Sequence, residues 1–373
     1  MKTTWICLGF TVILPWAAAA QQKQPDLVGT VNFNVGSASG RVESLVVTIG
    51  DGGTGNYKAV LVGDSSLPTH AIYRPRDLKP FGGKLLLPIV AFGNGGCRNG
   101  SGEFRNFLSD VASHGYMVVA IGPAGNAVVG GSEGRTGQTV ASQLLDGVDW
   151  ATRQNSLQGG EYYQKIDTSK VAVMGQSCGT AQAREVSGDP RVTTTVFLNG
   201  GGPMGGNRGA APAVQAPAPQ TPPSTQTQTP GAYGNTNAPA GAMAAGLTRQ
   251  ANRYAPYAPA VPATPMSRPQ GSGPVTFHGP VAFINGGPSD LAYNGAVAGF
   301  EAIEGVPALL AFQNVGHYPA TYREPNGGAF AVAVNAWLDW NLKGNQSASK
   351  MFIGANCGLC ADSKWEVKMK NVK

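Results

Sequence analysis

Apolar positions along this chain fall into two regimes that meet near residue 86. Before it, residues 27–85 carry short apolar runs, including 45–49 and 70–73, separated by glycine-rich stretches, which predicts short strands joined by turns. After it, apolar runs with strand character alternate with segments of helical period. Strands are expected at 87–92, 116–121, 171–174, 192–198, 281–285 and 308–313. Helices are expected at 104–113, 139–152, 181–186, 296–303 and 328–342, the last spacing Phe330, Val334, Trp337 and Trp340 to bury one face. This alternation predicts an α/β domain with a mostly parallel central sheet covered by helices on both faces.

Two segments stand outside the pattern. Residues 203–274 are rich in Pro, Ala, Gln and Thr and carry no acidic residue. Such a segment has too little apolar surface to offset its ordering entropy, so it is expected to be a disordered insertion within one domain spanning 21–373. A lid over a binding site is the alternative, but lids carry amphipathic helices and only 240–246 is helix-prone. At the other extreme, Lys2, an apolar run to Trp16 and Ala17-Ala18-Ala19-Ala20 form the basic, hydrophobic and small-residue zones of a secretory signal peptide over 1–20. A secreted or periplasmic protein with no membrane anchor after cleavage is the resulting expectation.

The sharpest chemical signal lies where the apolar run 171–174 ends in Gly175-Gln176-Ser177-Cys178-Gly179. A strand running into G-x-S-x-G places a serine on a tight strand-to-helix turn, its hydroxyl lifted clear of the sheet. The chain has 53 glycines, so chance matches arise, and Gly130-Gly131-Ser132-Glu133-Gly134 is one. It follows a loop-like stretch and leads into polar residues, so context selects Ser177. The glycine-rich run 50–55, superficially a nucleotide loop, neither follows a long buried strand nor opens a helix and reads as a turn.

A serine hydroxyl needs a base, and the base needs an orienting acid. Where the serine sits on a strand-to-helix elbow of this kind, the chain order is serine, acid, histidine. Of the four histidines, His70 and His114 precede Ser177, and His278 precedes the strand whose end would carry the acid. His317, in a loop after the strand 308–313, is the candidate base. Between Arg191 and His317 the carboxylates are Asp290, Glu301 and Glu304. Asp290 follows the carboxyl end of the strand 281–285, where open α/β sheets place ligand-facing groups, whereas the two glutamates fall on a solvated helix face.

A tetrahedral intermediate also needs preorganised N–H donors, worth about 3–4 kcal/mol each. The backbone N–H of Cys178 is one candidate; the second belongs to Gly93-Asn94-Gly95-Gly96-Cys97, with Gly96 favoured and Gly95 the alternative. Both donors must converge on one oxygen, which brings Cys97 and Cys178 together and predicts a disulfide between them. With Cys7 in the signal segment, the remaining Cys357 and Cys360 form a C-x-x-C expected to close a small structural loop. No cofactor or metal is called for by any motif.

The net charge of +6 is concentrated in part on Arg208, Arg249, Arg253 and Arg268 of the low-complexity segment; the rest forms no basic stripe, which argues against nucleic acid. Gly93-Asn94-Gly95-Gly96, Gly175-Gln176-Ser177-Cys178-Gly179, Gly286-Gly287-Pro288-Ser289-Asp290 and Gly316-His317 together resemble the α/β-hydrolase family, in particular its secreted dienelactone-hydrolase-like and cutinase-like members, over about residues 60–345. The resemblance implies a serine carboxylic-ester hydrolase acting on a small-molecule or polymer-borne ester. A lipase or amide-cleaving enzyme with the same triad, or a non-catalytic binding protein on a hydrolase fold, are the other readings. Dienelactone hydrolases use a cysteine where Ser177 stands. Polyester-cleaving members present an aromatic beside the oxyanion hole, and the loop here holds only glycine and asparagine, which speaks against polyester cleavage.

Overall fold

Ten strands form a single sheet among the described residues, in the order β1-β2-β3-β5-β4-β6-β7-β8-β9-β10. The structure is a computed structural model and describes residues 45–129, 138–202 and 275–372. The expected signal peptide, the second G-x-S-x-G match and the expected insertion at 203–274 lie outside the described residues.

The first half of the sheet comprises β1 (Val46–Val47), β2 (Ala59–Val62), β3 (His70–Pro75), β4 (Leu87–Gly93) and β5 (Met117–Ile121). It continues through β6 (Ile166–Gln176), β7 (Val192–Leu198), β8 (Val281–Asn285), β9 (Ala308–Phe312) and β10 (Glu366–Lys370). Strands β5 to β9 pair in parallel, while β1–β3 and β10 add antiparallel edges. The central strands are buried on both faces, which is why they read as continuous apolar runs and not as alternating ones.

The helices are α1 (Arg105–Ser113), α2 (Ala124–Val129), α3 (Ser142–Ser156), α4 (Cys178–Val186), α5 (Tyr293–Glu301) and α6 (Gly328–Lys343). Alternate residues of each strand face opposite cores. Val90 and Phe92 pack with α1 and α6, through Phe107, Val111, Phe330 and Trp337. Ile89 and Ala91 pack with α3, α4 and α5, through Leu144, Val148, Ala183 and Phe300. The α/β architecture expected from the alternation is therefore present.

Several elements escaped the pattern or shifted. β2 falls within the stretch 27–85 read as short strands, whereas β10 is too polar to stand out; Glu366-Val367-Lys368-Met369-Lys370 pairs along β9 and carries its charges on an exposed edge. α2 was also unforeseen, and α3 begins at Ser142, where 139 was expected. The reason for the late start is concrete: Thr139 is occupied in bonding the carbonyl of Cys97. The run 50–55 is a turn, as expected, pinned where Thr54 N and Oγ1 donate to Asp110 Oδ1.

One topological fact positions the site. The crossover from β4 leads to β5 on one side, and the chain then returns to place β6 on β4's other side. The carboxyl ends of β4 and β6 thus lie side by side at the switch point of the sheet, with Gly93 paired to Gly175. Crevices at such points are where open α/β sheets bind ligands.

Candidate active site

Ser177 joins β6 to α4 with φ +53° and ψ −115°, a conformation that costs an L-residue on the order of 1–3 kcal/mol. Its surroundings hold it there. Ser177 N donates to Leu198 O of β7 (2.9 Å), and its carbonyl accepts from Thr180 N (3.0 Å) and Thr180 Oγ1 (2.6 Å). The flanking glycines are required by close approach: a Cβ on Gly175 would lie 2.1 Å from Gly179 O, and one on Gly179 would lie 2.1 Å from Gly93 O. The positive end of the α4 dipole and its unbonded first N–H groups therefore open beside the serine hydroxyl.

The other two candidates converge on this point. His317 Nε2 lies 2.7 Å from Ser177 Oγ, and His317 Nδ1 lies 2.6 Å from Asp290 Oδ1. With its Nδ1–H donated to the carboxylate, the imidazole presents Nε2 as an acceptor for the serine proton. The loops carrying acid and base are stitched together, since Gly286 O accepts from both Val315 N and Gly316 N at 2.9 Å. None of His70, His114 or His278 joins this chain; they bond Gln143 O, Thr54 Oγ1 and Gly188 O respectively.

Asp290 is only 3% exposed, yet its carboxyl is held below the ordinary carboxylate value. Burial pushes it up, and four hydrogen bonds outweigh that: from His317, from Ala292 N, from Asn199 Nδ2 and from Gly286 N. The acid is thus kept ionised while dry, the state in which it can orient an imidazole and stabilise its charged form.

Gly95–Cys97 forms a single 3-10 turn at the end of β4, with Gly96 left-handed (φ +66°). The N–H groups of Gly95 and Gly96 open this turn and have no acceptor within it, whereas Cys97 N is bonded to Asn94 O (3.1 Å). Both glycines therefore remain candidates alongside Cys178 N. Cys97 and Cys178 are joined by a disulfide with Cα atoms 5.2 Å apart, the link expected from convergence of the two donor loops. A second clamp was not foreseen. Cys97 O accepts from Gln138 N (3.0 Å), Thr139 N (3.2 Å) and Thr139 Oγ1 (2.9 Å), and Gln182 Nε2 of α4 donates in turn to Thr139 Oγ1 (2.9 Å). Cys178 and Gln182, one turn apart on α4, thus grip the same loop. The Cys357–Cys360 disulfide (Cα atoms 4.8 Å apart) closes its small loop with Cys357 buried in the core around α6.

The structure also revises the surroundings of the oxyanion loop. Although the loop itself has no aromatic residue, Tyr318 supplies one from the histidine loop. Its ring meets that of His317 edge-on at 4.6 Å, and a Cβ on Gly95 would lie 3.5 Å from Tyr318 Cε1. More than half of Tyr318 is exposed. Beneath the same glycine lies Gln176, fully buried, with Nε2 donating to His317 O (3.1 Å) and Oε1 packed against Gly95.

Gln176, Tyr318, Thr139, Gln182, Asn199 and Tyr322 were not identified from sequence. Asn199 alone left a readable signal, a polar residue at the carboxyl end of a buried strand neighbouring the acid's strand. Among the described residues no group of His, Cys, Asp and Glu side chains is arranged to hold a metal ion, and no helix is long and apolar enough to cross a membrane. No protein-family model matches this chain, and no curated protein matches it, so the functional reading stands on the site itself.

Proposed function

We propose that this protein is an exported serine hydrolase of the α/β-hydrolase type that cleaves carboxylic esters through an acyl-enzyme. The observation that carries the reading is the unbroken hydrogen-bonded chain from Ser177 Oγ through His317 to Asp290, at 2.7 and 2.6 Å, beside two sets of unbonded N–H donors. Export is supported by the signal-like N-terminus and by two disulfides among the described residues.

In this mechanism Ser177 Oγ attacks the ester carbonyl carbon as its proton passes to His317 Nε2. The carbonyl π electrons move onto oxygen, where Cys178 N–H and the N–H of Gly96 or Gly95 bind the charge. The tetrahedral species collapses by breaking the bond to the alcohol, which leaves with the proton from His317. Water then attacks the acyl carbon, giving its proton to His317. The carboxylic acid departs when the serine oxygen leaves and recovers that proton. Asp290 stays ionised throughout and stabilises the imidazolium.

The test is hydrolysis of p-nitrophenyl esters of rising acyl length by the purified protein and by Ser177→Ala. Turnover by the parent and a loss of at least about 10³-fold in the variant are expected. Absence of turnover on every ester, or equal turnover by the variant, overturns the reading.

A further inference from the structure

We propose that Asn199 and Tyr322 form a buried relay that positions Asp290 and the His317 loop as one unit, an inference that rests on the serine-hydrolase reading. Asn199 follows β7, is fully buried, and makes three separate connections. Its Nδ2 donates to Asp290 Oδ2 (2.8 Å), the carboxylate oxygen that does not face the histidine. The same nitrogen lies 3.3 Å from Gly316 O, the carbonyl immediately before His317. Its Oδ1 accepts from Tyr322 OH (2.6 Å), five residues beyond His317. One carboxamide therefore ties the acid to the histidine loop on both sides of the base.

The orientation of that carboxamide is determined by its partners. Turning it over would set Oδ1 against Asp290 Oδ2 and Gly316 O, both of which only accept. Tyr322 OH donates to Oδ1, and its ring is locked edge-on between Phe104 (5.2 Å), Phe107 (5.5 Å) and Phe330 (5.7 Å). Phe104 lies on the short turn leading into α1, downstream of the oxyanion loop, so the relay is anchored in the core beneath it. Asn199 itself is left-handed, φ +50°, a strained position that asparagine tolerates better than other side-chain-bearing residues. The strain and full burial place a polar side chain where packing alone would favour an apolar one.

A packing role and a positioning role predict different outcomes. Tyr322→Phe keeps the ring and removes only the hydroxyl. Asn199→Gly removes the side chain while keeping the left-handed backbone at ease. Asn199→Asp keeps the shape but puts a second carboxylate against Asp290; the titratable groups touching position 199 are Asp290 and Tyr322, with His317 beyond Asp290. Two such carboxylates retain one proton between them until the pH rises, and while that proton is present the pair mimics the native donor.

The experiment measures kcat and KM for p-nitrophenyl butyrate, and the rate of Ser177 modification by a fluorophosphonate, across pH. Expected are falls in kcat and modification rate of about three- to tenfold for Tyr322→Phe and roughly 10- to 100-fold for Asn199→Gly, with KM little changed. The ratio of Asn199→Asp to parent activity should fall as pH rises. Parent-like kcat in Tyr322→Phe and Asn199→Gly, or a pH-independent ratio for Asn199→Asp, overturns the relay while leaving the hydrolase reading intact. A parent protein inert to both probes overturns both.

Discussion

Cys97 and Cys178 are joined with Cα atoms 5.2 Å apart; Cys178 N is one candidate oxyanion donor and Cys97 directly follows another, Gly96. Cys97 is itself left-handed, φ +49°. Replacing both cysteines by alanine should lower kcat about tenfold with little change in KM, because donor alignment is lost and substrate contact is not. Thr139→Val on that background should cost more than the product of the two separate effects, since Thr139 holds the same loop through Cys97 O. A strictly multiplicative result would show that the two clamps act independently.

The elbow should be intolerant of any side chain at Gly179. A Cβ there would sit 2.1 Å from the backbone oxygen of Gly93, and backbone on both sides cannot yield without separating α4 from β4. Gly179→Ala is expected to cost about 3 kcal/mol or more, seen as a drop of at least roughly 6 °C in Tm or as loss of soluble protein.

Gly95 offers a milder and reversible version of the same test. Here the obstacle is a side chain, Gln176 Oε1, 2.2 Å from the added Cβ. Gly95→Ala should reduce kcat/KM by about 10²-fold through displacement of the donor loop. Gln176→Ala in the same chain opens the space and should restore part of the activity, which steady-state kinetics on the three variants will decide.

Stability should fall in two stages on acidification. Burial holds the imidazole of His70 below its ordinary value, against the opposing hydrogen bond from its own ring to Gln143 O and the nearby Asp146 carboxylate. The unfolded chain then takes up this proton first, so stability is lost as pH drops below about 6.5. Asp290, held below its ordinary value in the fold, contributes stability that persists until about pH 4 and is lost beneath it. Urea unfolding between pH 5 and 8 should show the first stage in the parent and a flatter profile in His70→Gln.

The elements that could be read in advance were those whose signal is local. Strands such as β4 and β8 are buried on both faces and appear as uninterrupted apolar runs. Ser177 is marked by glycines that the turn itself demands, and Asp290 and His317 follow from chain order once the serine is placed. The disulfide was legible because the loop at Gly95-Gly96 and the start of the helix after Ser177 were expected to converge. β10 was not, because an edge strand with one solvated face buries too little to impose a pattern.

By itself, then, the sequence determined the α/β class, the strand-turn-helix holding Ser177, the choice of Asp290 and His317 as the residues brought to it, and the Cys97–Cys178 pairing. Only the tertiary structure decided what surrounds them. Tyr318 reaches Gly95, Gln182 reaches Thr139, and Tyr322 reaches Asp290 through Asn199, each across a large separation in the chain. Such contacts leave no periodicity or spacing to read. They arise because the switch between β4 and β6, and the burial of Tyr322 among aromatic rings, bring distant loops to the same end of one sheet.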